Sequence, residues 1–265
     1  MKRTWWVAAV VLVGLALGGL WPPHDIDRVA LTNRHAAPSL VHPLGTDHLG
    51  RDVLSRLLLG GWRTLLVLAY VCAVMLGLGV PVGLIAALAG PTGGAVLMRL
   101  TDFCLIVPPL VLALAVSALC GLSPVTAGLA LGLGSWGHYA VFIQSLAKSV
   151  LAEPYVLAAH ALGLTPAQIA TRHVAPNVLP LVLVYLASDV GRHIVQYAAL
   201  AFLGLGAETS RPDWGAMLFE YRGFMFEHAA LLLWPGLAIV VTVLMLHVAI
   251  EPHWGQHQRR GPTAG

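Results

Sequence analysis

Few side chains in this sequence can do chemistry, and those that can fall in three places. The first is Asp189, Arg192, His193 and Gln196, set in an otherwise apolar stretch. Asp189 and Arg192 are three apart, on one face of a helix, where they can pair. A charge left alone in hydrocarbon costs at least about 2.5–3.5 kcal/mol, so such a group faces a partner or water. It reads either as the lining of a polar path or as a structural pair between helices. A proton relay through Asp189 fits less well, because a paired aspartate stays ionised. The second place is an early segment carrying His24, His35, His42 and His48, with Asp47 and Asp52 among them. Imidazoles and carboxylates there could meet a metal. The simpler expectation is isolated surface histidines, with Asp47 as a helix N-cap and the stretch Asp52 to Leu59 as a short helix.

The third place is 153–177, a polar insert between two apolar runs. Pro154 can occupy the first position of a helix, where its missing N–H costs nothing. Gly163 can supply the left-handed residue that ends that helix. Thr165-Pro166-Ala167-Gln168 is a capping-box pattern opening a second short helix, expected to run to about Val174 and stop before Pro176. Two capped helices joined by a glycine elbow make a stiff knob, where a mere connector would be only a few residues long.

What the chain lacks is equally informative. Lys2 and Lys148 are its only lysines and neither follows a glycine, so no Walker A loop can hold a nucleotide. No HExxH, GxSxG or paired-cysteine zinc pattern occurs. Cys72, Cys104 and Cys120 all fall in apolar runs and read as small packing residues. His138 or His193 as an intramembrane catalyst has no second catalytic residue in any motif. Catalytic residues, metal ligands and cofactors are therefore all expected to be absent.

The elements that position these residues follow from the charge distribution. Of 265 residues 58% are hydrophobic and 10% charged, and the mean hydropathy is +0.79. Soluble domains carry about 25% charged residues, so the bilayer is the fitting solvent. No Asp, Glu, Lys or Arg lies between Arg63 and Arg99, Asp102 and Lys148, Arg172 and Asp189, or Glu227 and Glu251. A spanning helix needs about 20 mostly apolar residues. Six are expected, at 5–21, 64–89, 98–120, 125–147, 178–203 and 230–250, in an all-α integral membrane protein. The first has Lys2-Arg3 before it, Trp5, Trp6 and Trp21 bracketing it, and no small-x-small cleavage pattern, so it reads as a retained anchor. With Lys2, Arg3, Arg259 and Arg260 inside, 22–62 and 204–229 would lie outside and 148–177 inside, but Arg28, Arg34, Arg51 and Arg56 in the outer segment leave the charge bias undecided. The net charge of +3 is too small to suggest nucleic acid. Arg99 and Asp102 read as snorkelling to the interface. Gly79-x-x-x-Gly83 and Gly128-x-x-x-Gly132 offer small faces for close helix contact.

Three motifs in order resemble one family. Ala158-Ala159, Gly163, Thr165, Arg172-His173 and Pro176-Asn177 look like the "EAA" loop of ATP-binding-cassette importer permeases. His42-Pro43-Leu44-Gly45-Thr46-Asp47-His48-Leu49-Gly50-Arg51-Asp52 resembles the signature before the second span of the dipeptide, oligopeptide and nickel branch, in its second, C-type subunit. Phe202-Leu203-Gly204-Leu205-Gly206, Pro212-Asp213-Trp214-Gly215 and Trp234-Pro235-Gly236 resemble the signature around that branch's last two spans. The motif glutamate is Leu157 here, and the tail after Ile250 departs from the branch's usual ending.

The resemblance implies a type I importer permease of the bacterial inner membrane. Its anchor is 1–21, its periplasmic segment 22–62, its transmembrane domain 63–250 and its cytoplasmic tail 251–265. It implies a partner for each missing function: a second, B-type permease subunit, two ATP-binding subunits docked on 153–177, and a periplasmic or lipid-anchored solute-binding protein. Cargo would be nickel, a metal chelate or short peptides, with Leu157 and the histidine-rich outer segment leaning toward metal. The competing reading is an ion-coupled secondary transporter using Asp189.

Overall fold

The computed structural model describes residues 13–15, 17–204 and 211–258, with side chains given as far as His247. Trp5, Trp6, Leu205, Gly206 and the end of the tail lie outside the described residues. Helices dominate: α1 (Val53–Leu88), α2 (Gly90–Leu105), α3 (Pro109–Cys120), α4 (Pro124–Leu151), α5 (Pro154–Ala161), α6 (Pro166–Ile169), α7 (Ala175–Phe202), α8 (Trp214–Tyr221) and α9 (Ala230–Gln258). Among the described residues β structure is limited to one isolated bridge, Thr46 with Asp52.

Among the described residues three helices are long and apolar enough to cross a membrane: Val53–Leu88, Pro166–Phe202 and Ala230–His247. The pair α2 and α3 makes a fourth as a broken span, bent by 63°. Helix α4 has length to spare at 28 residues, but its glycines, Ser135, His138 and Gln144 dilute its apolar character. The first expected span, 5–21, falls largely outside the described residues, so the described residues give three such helices, or four with the broken pair, where the charge gaps suggest six.

Several expected boundaries change. The short helix over Asp52 to Leu59 is the first part of α1, a 36-residue helix. At 1.5 Å per residue it extends about 54 Å, well beyond a hydrocarbon core of about 30 Å. The expected single helix over 98–120 begins at Gly90 and breaks after Leu105. A residue before proline is disfavoured in the helical region, so Pro108 works against helix at Val107, and Pro109 restarts the helix as its first residue. Helix α9 continues to Gln258, through part of the expected tail.

The described residues form two compact units. One takes in the chain up to Leu68, Val116–Ala127 and everything from Ser188; the other is Ala69–Ala115 with Gly128–Ala187. In the second unit the small faces do what their spacing suggests. A Cβ at Gly79 would stand 2.7 Å from Tyr139 Cβ, one at Gly83 2.7 Å from the Ala140 carbonyl, and one at Gly132 2.7 Å from Val74 Cβ. These approaches lock α1 against α4. Tyr185 of α7 packs its ring 5.0 Å from Tyr139 and 4.6 Å from Phe142. In the first unit Val53, Trp214, Met217, Tyr221 and Leu231 form a buried core. Trp214 fixes that core by donating its indole N–H to the Leu57 carbonyl at 2.9 Å.

Candidate functional site

Three constellations carry polar chemistry, and the first is the knob at 153–177. Helix α5 starts on Pro154, as its sequence dictates. It ends in a Schellman motif: the Gly163 amide donates to the His160 carbonyl at 3.0 Å and the Leu164 amide to the Ala159 carbonyl at 3.3 Å. Gly163 has φ +85°, a left-handed conformation that costs other residues about 1–2 kcal/mol. Thr165 then caps α6 with the expected box. Its side chain accepts from the Gln168 amide at 3.3 Å, while Gln168 Oε1 accepts from the Thr165 amide at 2.8 Å.

The second short helix does not stop before Pro176. A π-helical turn over Ala170–Val174 carries it directly into α7. The wider turn lets Pro176 enter next to the start of α7, where a missing N–H costs least. Asn177 Nδ2 bridges the ends of the knob, donating to the His173 carbonyl at 2.6 Å and to Tyr155 Oη at 3.3 Å. Val156, Ala159, Ile169 and Val174 are buried. Tyr155, Leu157 and Leu162 are 48%, 58% and 83% exposed, and Ala158, Thr165, Arg172, Pro176 and Asn177 are exposed beside them. The knob is packed inside and presents Tyr155, Leu157 and Leu162 outside, among polar side chains such as Thr165, Arg172 and Asn177.

The second constellation is an ion network that the two signatures build together. Asp47 is not a helix N-cap. Its Oδ1 accepts from the Leu49 and Arg51 amides at 2.8 and 3.0 Å, and its Oδ2 from Arg51 Nε at 2.7 Å. Arg51 also pairs with Glu220 of α8. Arg56 Nη2 donates to Glu220 Oε2 at 2.6 Å and its Nε to Tyr221 Oη at 3.2 Å; Tyr221 in turn donates to Asp47 Oδ2 at 3.3 Å. Two carboxylates balance two guanidiniums, and Asp47, Arg51 and Arg56 are all buried. Burial pushes the Tyr221 phenol well up, so it stays protonated as the donor this geometry needs. Burial opposes the Arg51 charge, but Asp47 and Glu220 more than compensate and hold its pKa above the ordinary value. His48 lies beside the network, 3.6 Å from Glu220 Oε1 and stacked on Phe224 at 5.0 Å. Burial lowers its pKa despite the nearby carboxylates.

Asp52 belongs to a separate cluster. It caps α1, its Oδ2 accepting from the Ser55 amide at 2.8 Å and from Ser55 Oγ at 2.6 Å. His42 Nδ1 lies 2.9 Å from Asp52 Oδ1, and His24 Nδ1 3.7 Å from Oδ2. Burial raises the Asp52 pKa, but the hydrogen bonds from Ser55 and His42 outweigh it and leave the net shift downward. Asp47, His48 and Asp52 therefore do not form one site. Asp47 joins His48 and Glu220, while Asp52 joins His24 and His42.

The third constellation lies within α7. Arg192 grips Asp189 with both arms, Nε to Oδ1 and Nη2 to Oδ2, each at 2.8 Å. His193 Nε2 is 3.3 Å from Asp189 Oδ2, and its Nδ1 is 3.0 Å from Gln196 Oε1. The four residues singled out in sequence form one chain of contacts on one helix face, with His193 buried and Arg192 43% exposed in its side chain.

Glu220, Tyr221 and Ser55 escape sequence reasoning. The available signal was the set of arginines at 51 and 56 in a segment otherwise committed to apolar packing, since buried guanidiniums demand a carboxylate somewhere in the chain.

Comparison with known proteins agrees with this architecture. The family described as "Binding-protein-dependent transport system inner membrane component" matches residues 79–251. The nickel transport system permease protein NikC of Escherichia coli (strain K12) is 30% identical over 259 residues, 95% of this chain and 93% of that protein. The probable D,D-dipeptide transport system permease protein DdpC of the same organism is 32% identical over 241 residues, 89% of this chain and 81% of that one. The dipeptide transport system permease protein DppC of Alkalihalophilus pseudofirmus is 33% identical over 213 residues, 80% and 70% of the two chains. A solved structure of the MetNI methionine ABC transporter, inward facing, shares the fold at 17% identity, with a TM-score of 0.50 over 73% of this chain and 92% of that one. The chain belongs to the family of binding-protein-dependent transport system inner membrane components, as a multi-pass permease subunit of an ATP-binding-cassette importer of type I fold. The resemblance carried by its three motifs is borne out, and the secondary-transporter reading built on Asp189 gives way to it.

Proposed function

We propose that this permease pairs with a second permease subunit to form a translocation path, and that its 153–177 knob docks on one of two separate ATP-binding subunits. The observation that carries this reading is the knob's construction. Two capped helices braced by Asn177 present Tyr155, Leu157 and Leu162 to the surroundings. Exposed apolar side chains on a rigid support mark a protein interface. When the ATP-binding subunits close, a stiff knob passes their displacement to α4 and α7, where a flexible linker would absorb it. This puts 153–177 in the cytoplasm and the segments 22–52 and 211–229 on the outer face, where a solute-binding protein delivers cargo.

For the cargo we propose nickel, as ion or chelate. The relative that covers 95% of this chain is a nickel permease, and the outer segment carries four histidines, His24, His35, His42 and His48. Short peptides are the second reading, favoured by relatives 32% and 33% identical that carry dipeptide names.

The experiment is co-purification and uptake with Leu162→Glu. The variant is expected to enter the membrane normally, to lose the ATP-binding subunits on purification and to abolish uptake of labelled nickel. Full retention of those subunits by the variant, or uptake insensitive to vanadate, overturns the docking reading.

A further inference from the structure

His24, His42 and Asp52 surround a cleft of about 340 Å³ that Asp25, Asn33 and Arg28 also line. We propose that these three residues bind a divalent transition-metal ion of the borderline class: nickel, copper or zinc. The inference goes beyond the cargo assignment, because the site would hold an ion whether or not the importer moves one.

The geometry is close to that of a ligand set. One donor atom from each residue can be chosen so that all lie within 4.8 Å of one another. Two ligands each about 2.1 Å from one ion stand about 3.0 Å apart at right angles. His42 Nδ1 and Asp52 Oδ1 already stand 2.9 Å apart. His24 Nδ1, 3.7 Å from the other carboxylate oxygen, needs only a small ring movement to complete the face. That nitrogen is itself buried and takes no hydrogen bond, an unmet cost that a metal bond would remove. The rings of His24 and His42 lie 4.8 Å apart, so both can approach one ion. A neutral His42 gives up its Nδ1 proton by moving to the Nε2–H tautomer, and no net proton need be lost.

The support behind the ligands is already in place. Ser55 donates to Asp52 Oδ2 through its amide and its hydroxyl, and Ser55 Oγ accepts from the His24 amide at 3.0 Å. One residue thus orients the carboxylate and anchors the backbone of His24. Such outer partners tune affinity by about 10–100-fold. Two imidazoles and one carboxylate, with the remaining positions open to a polar cleft, suit nickel, copper and zinc over magnesium or calcium. The neighbouring trio Asp47, His48 and Glu220 has the right donor types, but Arg51 and Arg56 already neutralise both carboxylates, which leaves no charge for a cation.

The test is calorimetric titration of NiCl2 into the full-length permease, purified in detergent on a histidine-free tag. Wild type is expected to bind one more equivalent than His24→Ala/His42→Ala, and each single variant to weaken that equivalent at least about tenfold. His48→Ala is expected to keep it. Equal stoichiometry in wild type and the double variant, or loss in His48→Ala with retention in His42→Ala, overturns the proposal. Should the double variant fail to fold, the first equivalent of Cu(II) bound by wild type is read by paramagnetic resonance. Coupling to two imidazole nitrogens supports the site and coupling to none overturns it. Uptake separates this from the cargo: binding at the cleft with peptide uptake alone leaves the site standing and removes the nickel reading. Nickel uptake with no bound equivalent at the cleft does the reverse.

Discussion

Arg56 and Glu220 are 164 positions apart in sequence, and their side chains meet at 2.6 Å. Around that contact the segment ending in Arg51-Asp52 and the helix after Pro212-Asp213 become one body. Removing two guanidiniums and two carboxylates from water is expensive, and the expense is offset only because Asp47, Tyr221 and backbone amides satisfy the remaining donors and acceptors. An arrangement so complete tolerates no single deletion. Joint replacement by apolar groups of similar volume should cost far less than a single deletion.

Glu220→Gln keeps the shape and removes one charge, leaving Arg51 and Arg56 with one carboxylate between them. The expected loss is about 3–5 kcal/mol of stability, read as a lowered thermal midpoint in detergent. Because Arg56 and Glu220 share a network, Arg56→Met combined with Glu220→Met should cost clearly less than the sum of the two single changes. Additive losses would mean that the pair is not coupled.

Gly163 tests the knob without touching a neighbour. A Cβ there meets nothing within 4 Å, so only the φ of +85° resists substitution. Gly163→Val should distort the elbow and suppress uptake and cargo-stimulated ATP hydrolysis, while insertion in the membrane stays intact. Gly163→Asn, whose residue type visits the left-handed region more readily, should retain most of both. Equal damage from Asn and Val would point to lost space rather than lost conformation.

The knob was legible because its signals are local: Pro154, Gly163 and the Thr165–Gln168 pair each dictate a conformation within four residues. The charge gaps likewise marked where the long apolar helices α1, α7 and α9 fall, since a missing charge is visible without knowing any contact. The network around Glu220 was not legible, because its partners lie 164 to 169 positions apart and no periodicity links them. Asp47 shows the same limit. As the residue before an apolar helical pattern it resembles an N-cap, yet Asp52 takes that role because α1 starts later, and Asp47 is drawn to Arg51. The stop expected at Pro176 failed for a related reason: the π turn over Ala170–Val174 widens the helix just where the proline would have ended it.

Asp189 and Arg192 decide between a path lining and a structural pair. Their bidentate contact consumes both carboxylate oxygens. Asp189→Asn alone should lower the amount of permease in the membrane, because Arg192 then lacks its counter-charge in hydrocarbon. Asp189→Asn with Arg192→Gln should restore both amount and uptake to within about threefold of wild type, as removing both halves of a pair does. Normal amounts with uptake still lost would assign these residues to the path itself.

His48 and His35 give the assembly an acid limit. Burial lowers both pKa values; for His35 the nearby His228, stacked at 3.7 Å, lowers it further. The unfolded chain takes up protons at these rings as pH falls through about 6.5, whereas the folded chain takes them up only at lower pH. In that window the unfolded state carries more protons, so stability falls as pH falls. The groups facing His48 are Glu220, Asp47, Arg51, Arg56, Tyr221 and His35; burial, with Arg51 and Arg56, opposes its protonation more than the carboxylates favour it. The thermal midpoint of wild type should therefore drop below about pH 6.5. His48→Phe can still stack on Phe224 and has nothing to protonate, so its midpoint should fall less steeply. Parallel pH curves for the two proteins would place the acid sensitivity elsewhere, with His35 and His228 the next pair to replace.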